Sequence, residues 1–77
     1  MEEYIVEIKK IIGEINEYET FDEETNLIEE GILSSLSLMY LISELEERYD
    51  IFIEEKLVTP ENFSTVEKIA MVIETLV

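Results

Sequence analysis

The sequence predicts an all-α fold: a small four-helix bundle with a long loop between helices 1 and 2 and a short third helix. Three observations carry this. Isoleucine, leucine and valine recur at steps of three and four over residues 2–16, 35–49 and 65–76, which is the period of a helix face and not of a strand. Hydroxyl residues that suit helix starts stand ahead of the later segments, at Ser34, Thr59 and Ser64. Gly and Pro number only two and one among 77 residues, so breakers are scarce. The one β-favouring run, Ile51-Phe52-Ile53, is very short.

The first helix is expected over 2–16. Ile5, Ile8, Ile12 and Ile15 share one face, and Val6 and Ile11 broaden the stripe. Gly13 weakens this helix without ending it. Residues 17–33 then read as a long acidic connection, interrupted by Tyr18, Phe21, Leu27, Ile28, Ile32 and Leu33. A free linker needs no such apolar residues, so this loop is expected to fold over the core. Gly31 suits a backbone turn near its end.

The second helix is expected over 35–49, with Ser34 as its N-cap. It carries two apolar stripes. Leu38, Leu41, Ile42, Leu45 and Tyr49 form the core-facing one. Leu36, Met39, Tyr40, Ser43 and Glu47 repeat the rhythm two positions earlier, well over a quarter turn away. If the first stripe faces inward, Leu36, Met39 and Tyr40 are left near the surface as a partner site, with Glu44, Glu46, Glu47 and Asp50 placed to draw a basic partner. The alternative is that Met39 and Tyr40 lie under the 17–33 loop.

Residues 50–63 read as irregular, with a short helix where Thr59-Pro60 fits an N-cap followed by proline at the first helical position. Ser64-Thr65-Val66-Glu67 has capping-box spacing and opens a last helix over 65–76. There Val66, Ile69, Ala70, Ile73 and Val77 share a face.

Composition narrows the function. Twenty acids against five bases leave a formal net charge of −15, which argues against a nucleic-acid partner and an anionic membrane surface. The chain has no Cys and no His. It can therefore build no thiol nucleophile, thiolate metal site or Ser-His-Asp triad. No catalytic residue and no metal ligand set is expected. The best calcium-type loop starts at Asp22, but Leu27 stands where that loop needs Gly and Leu33 where it needs Glu. Met1-Glu2-Glu3 lacks the basic region of a secretory signal, and no apolar run has the length of a membrane span. A single domain over 1–77, monomeric and cytoplasmic, with no direct membrane insertion, is the simplest expectation. Asn62-Phe63-Ser64 is then an accidental glycosylation sequon.

One motif stands beside the second stripe. Gly31-Ile32-Leu33-Ser34-Ser35-Leu36 puts a serine at a helix start directly after an apolar loop end. A helix N-terminus favours an attached anion, because free amides and the helix dipole point at it. Taken alone, a Ser-Ser pair there is better explained as capping, since Ser is a preferred cap. The stretch resembles the acyl carrier protein family, including the peptidyl and D-alanyl carriers, in which a Gly-containing loop leads to Asp-Ser-Leu or Asp-Ser-Met at the start of the second of four helices. Tyr49-Asp50-Ile51-Phe52-Ile53 is similar to the family's exit from that helix. Asn62-Phe63-Ser64-Thr65-Val66 is similar to its passage from the third helix into the fourth. The resemblance runs through essentially the whole chain in one register.

That resemblance implies an acyl carrier protein. Ser35 matches the serine that receives 4′-phosphopantetheine from coenzyme A, and the cargo then rides on the arm as a thioester. The implied partners are a phosphopantetheinyl transferase, an acyl- or aminoacyl-activating ligase, and a downstream acyltransferase or synthase. Leu36, Met39, Tyr40, Ser43 and Glu47 match the partner-facing side of the second helix. Ser34 replaces the family's usual Asp. It keeps the capping role without the charge, and it competes in principle as the attachment point. Gly31, four positions before Ser35, is spaced as in D-alanyl carriers, so D-alanyl or other aminoacyl cargo is favoured. The alternative reading is a non-catalytic acidic helical adaptor with a carrier-like fold and no covalent cargo.

Overall fold

The computed structural model describes residues 1–77. It contains four α-helices, a single 3₁₀ turn and no strand: α1 Glu2–Ile15, α2 Ser35–Tyr49, the 3₁₀ turn Glu55–Leu57, α3 Pro60–Phe63 and α4 Val66–Leu76. The expected all-α bundle, with its long first connection and short third helix, is what the chain adopts.

α1 begins with Glu2 and Glu3 in its first turn, where carboxylates favourably meet the positive end of the helix dipole. It ends at Asn16, whose amide still donates to the Ile12 carbonyl at 2.9 Å. Ile8, Ile11 and Ile12 are buried, and Ile5 and Ile15 pack at the margin of the core. Val6 does not broaden the stripe; it is 57% exposed. It stands two residues from Ile8, roughly 200° around the axis at the helical period, so it shares a sequence neighbourhood with the stripe but not a face.

The 17–33 connection does fold over the core. Leu27, Ile32 and Leu33 are buried, with Phe21 packed beside them. Tyr18 is the exception, extending into solvent. Leu27 is the anchor. Its amide donates to the Ser64 carbonyl at 2.6 Å, and its own carbonyl accepts from Ile32 and Leu33 at 2.8 and 2.9 Å. Gly31 sits at φ +74, the left-handed turn that lets the chain double back on Leu27. The Asn16 side chain donates to the Ile32 carbonyl at 3.3 Å, tying the end of α1 to the segment that enters α2.

The second half holds two corrections. The capping box expected from Ser64 to Glu67 does not form. Ser64 has helical backbone angles, φ −74 and ψ −31, as the C-cap that follows α3, whereas an N-cap needs extended ones. Thr65, at φ −135 and ψ 159, takes the cap and accepts from the Lys68 amide. Val77 lies one residue past the end of α4 and is exposed rather than on its buried face. Thr59 does cap α3, with Pro60 first in the helix. The Asn62 amide nitrogen, the glycosylation atom of the sequon, donates to the Leu57 carbonyl at 2.9 Å.

The core is one cluster of 14 buried residues, all apolar, drawn from the four helices and both long connections. α1 and α2 are braced at their margin by Arg48, which pairs with Glu7 of α1 and, at 3.3 Å, with Glu44 of its own helix. Tyr4 and Tyr49 meet edge to face there at 5.4 Å. No helix is long and apolar enough to cross a membrane.

Candidate functional site at the start of the second helix

The chain reaches α2 from the Gly31 turn. Ser34 is extended, at φ −96 and ψ 178, which aims its hydroxyl back at the first helical turn. The Ser37 amide donates to Ser34 Oγ at 3.3 Å, and the Ser34 amide donates to Ser37 Oγ at 2.7 Å. The two hydroxyls also lie 3.0 Å apart. This is a capping box in which a serine plays the part usually taken by Glu or Gln. It occupies the Ser34 hydroxyl. Ser35, the first helical residue, stands outside this network and is exposed. The first turn of α2 contains no acidic residue, so the free amides at its start are not neutralised by a side-chain carboxylate.

Beside Ser35 lies a groove with a cavity volume of about 330 Å³. Ile28 and Leu33 line it from the loop, Leu38 from α2, and Val58, Thr59 and Pro60 from the segment entering α3, with Ser34 and Ser35 at the rim. A larger cleft of about 460 Å³ opens between the 3₁₀ turn, α3 and α4, around Leu57, Met71 and Val72. Neither Ser34 nor Ser35 lines it, so size does not identify the site here.

The second stripe of α2 is on the surface. Leu36 is 81%, Met39 66% and Tyr40 49% exposed, and Ser43 and Glu47 are exposed farther along the helix. The alternative placement of Met39 and Tyr40 under the loop is excluded, because Leu27, Ile32 and Leu33 cover the core elsewhere. The expected acidic fringe is present, with Glu47 and Asp50 exposed and Glu44 and Glu46 half-buried. Glu44 is engaged by Arg48, and Glu46 accepts from the Ile53 amide at 2.9 Å. Asp50, in the left-handed conformation, closes the helix.

Two features of this site have little or no signal in the sequence. Ser37 has one weak signal: Ser-x-x-Ser has the spacing of a capping box but lacks its usual Glu or Gln. The groove has no local signal, because its walls come from two stretches well separated in the chain, 28–38 and 58–60, and no local period announces such a meeting.

Comparison with known proteins agrees with the motif. Residues 6–73 match the protein family described as PP-binding, phosphopantetheine attachment site. The D-alanyl carrier protein of Lactococcus lactis subsp. cremoris strain MG1363 is 37% identical over 70 residues, covering 91% of this chain and 87% of the relative. Its counterpart in strain SK11 gives the same figures. The D-alanyl carrier protein of L. lactis subsp. lactis strain IL1403 is 36% identical over the same length and shares.

Proposed function

The chain belongs to the phosphopantetheine attachment-site family of carrier proteins, and from that membership we propose that the arm is attached at Ser35 and carries D-alanine. The protein is a non-catalytic carrier that bears a 4′-phosphopantetheine arm and serves partner enzymes such as a phosphopantetheinyl transferase and ligases. When bound, the arm supplies the thiol that this cysteine-free chain lacks, and the cargo is held there as a thioester.

The observation that carries Ser35 is the state of its neighbour. Ser34 Oγ is held in the reciprocal cap with Ser37, while Ser35 is exposed and outside it. In the attachment step Ser35 Oγ gives up its proton and forms the phosphodiester, with the nucleotide portion of coenzyme A leaving. The residues fit such a group. The helix start favours the phosphodiester charge, and the groove walled by Ile28, Leu33, Leu38, Val58 and Pro60 offers apolar surface to the arm beside it.

D-alanine is supported by the similarity to D-alanyl carrier proteins at 36–37% identity and by the Gly31 spacing. Leu36, Met39, Tyr40, Ser43 and Glu47 are the face offered to partners, the downstream acyltransferase or synthase among them. Residues 1–77 form one domain, which the single core cluster supports, and the protein works as a monomer in the cytoplasm, where coenzyme A is available.

The test is intact mass after incubation with coenzyme A and a broad-specificity transferase. Wild type and Ser34→Ala should each gain one arm, and Ser35→Ala none. A gain that survives in Ser35→Ala and vanishes in Ser34→Ala moves the site by one residue. For the cargo, the modified protein is offered D- and L-alanine with ATP and a D-alanine-activating ligase. Equal loading of both would remove the support for D-alanine.

A further inference from the structure

The larger cleft, of about 460 Å³, takes its apolar surface from Leu57 of the 3₁₀ turn and from Met71 and Val72 of α4. Val72 is buried, but Met71 stands at the edge with 54% of its surface exposed. Lys68, Met71 and Thr75 follow one another at steps of three and four, so they form one exposed row along α4. Glu61 borders the cleft from α3. Lys68 and Met71 also line a smaller depression of about 260 Å³, bordered by Glu23, Glu24 and Glu67. The Glu67 amide donates to the Glu23 carbonyl at 3.4 Å, which sets this stretch of the long loop against α4. Four carboxylates and one cation, Lys68, therefore surround Met71. Glu23 lies 3.9 Å from Lys9. Glu24, Glu61, Glu67 and Lys68 are exposed and make no ion pair.

Covering Met71 and the apolar floor of the cleft releases water and is favourable. A methionine at such a place adapts to the shape of what covers it. A second copy of this chain is a poor cover, because it brings the same net charge of −15 against the first. A partner that offers an apolar side chain to the cleft and cations to Glu24, Glu61 and Glu67 satisfies both parts of the face. An amphipathic helix carries that combination on adjacent turns. The row of Lys68, Met71 and Thr75 is the kind of ridge against which a second helix packs.

We propose that the outer face of α4 docks a basic amphipathic helix of a partner protein, with an apolar side chain seated against Leu57, Met71 and Val72 and its cations on Glu24, Glu61 and Glu67. Neither depression includes Ser34, Ser35 or any residue of α2. A partner held on this side leaves the helix start and the α2 face open to other enzymes, whichever serine bears the arm. Lys68 is the one repulsive element of the face, and its neutralisation strengthens docking.

The experiment uses the full chain and, as probe, a synthetic leucine–lysine helix of about four turns with its leucines along one face. Kd is read by calorimetry, and the place of binding by amide chemical shifts. The largest shifts are expected around Leu57, Lys68, Met71 and Val72. Met71→Glu is expected to raise Kd about tenfold, because it removes the central apolar contact although it adds an acid. Lys68→Gln should lower Kd. Val6→Glu makes the same kind of change at a similarly exposed apolar residue of α1 and should not weaken binding. If Met71→Glu binds as well as wild type or better, net charge alone attracts the helix and the proposal falls. It falls equally if the shifts centre on α2, or if Val6→Glu weakens binding as much as Met71→Glu. Met71→Ser repeats the test should Met71→Glu fold poorly: a raised Kd is expected, and an unchanged one overturns the proposal. Self-association in sedimentation that Met71→Glu abolishes would make a second copy the occupant and overturn it too.

Discussion

Ser34 and Ser37 cap the second helix reciprocally, the Ser34 amide donating to Ser37 Oγ at 2.7 Å and the Ser37 amide donating to Ser34 Oγ at 3.3 Å. Two orphan amides are thereby satisfied by two neutral hydroxyls. The hydroxyl between them in sequence, on Ser35, is left free for other chemistry.

Breaking that cap should lower stability without removing the modified residue. Ser34→Ala is expected to cost about 1 kcal/mol, read from urea denaturation, while still gaining the arm. Ser34→Asp keeps an acceptor and adds charge at the positive end of the helix dipole, and should be more stable than Ser34→Ala. A Ser34→Ala protein as stable as wild type would show the cap to be incidental.

Gly31 holds the turn that delivers Ser34 and Ser35. Its φ of +74 is left-handed, and an added Cβ there meets no atom within 4 Å. Gly31→Ala should therefore cost only the conformational penalty, about 1–2 kcal/mol, measured as a shift in denaturation midpoint. A larger loss would mean that the turn itself rearranges.

Leu27 is the hinge pin of the long connection, fully buried and bonded to Ile32, Leu33 and Ser64. Leu27→Ala leaves its backbone bonds possible but opens a cavity, at about 2–5 kcal/mol. Backbone amide exchange of Ile32 and Leu33 should accelerate with it. Unchanged exchange at those amides would show that the loop is held some other way.

Asp22 makes a small turn in which its carboxylate accepts from the Glu24 amide and the Thr25 hydroxyl. The Glu24 amide first, and then Thr25, hold its pKa below the ordinary aspartate value. A depressed folded pKa gives stability that is present above the unfolded pKa and lost as pH falls through the folded one. Wild type should exceed Asp22→Asn at neutral pH, and the gap should close as pH drops below about 4. A gap that stays constant down to the acid limit contradicts this.

Salt should stabilise the domain. Twenty acids and five bases leave repulsion dominant over the few surface ion pairs, and added salt screens it. The melting temperature is expected to rise with salt. The difference between wild type and Arg48→Ala should narrow over the same range, because the Arg48 pairs with Glu7 and Glu44 are screened too. A melting temperature indifferent to salt contradicts the first expectation.

The sequence by itself determined the helices, because their signals are local. The steps of Ile8 to Ile12 and Ile69 to Ile73, the hydroxyl at Ser34 and the Thr59-Pro60 pair each act within a turn or two of backbone. It also determined which serine motif to examine and which face of α2 would be apolar. It failed where one turn hosted two candidate caps: Ser64 and Thr65 differ only in backbone angles, and those depend on how α3 meets α4. Tertiary structure alone decided that Met39 and Tyr40 stay exposed, that Arg48 of α2 reaches Glu7 of α1, and that a groove opens beside Ser35. Each of these depends on segments distant in the chain meeting in space, and burial and hydrogen bonding are properties of that meeting rather than of any local period.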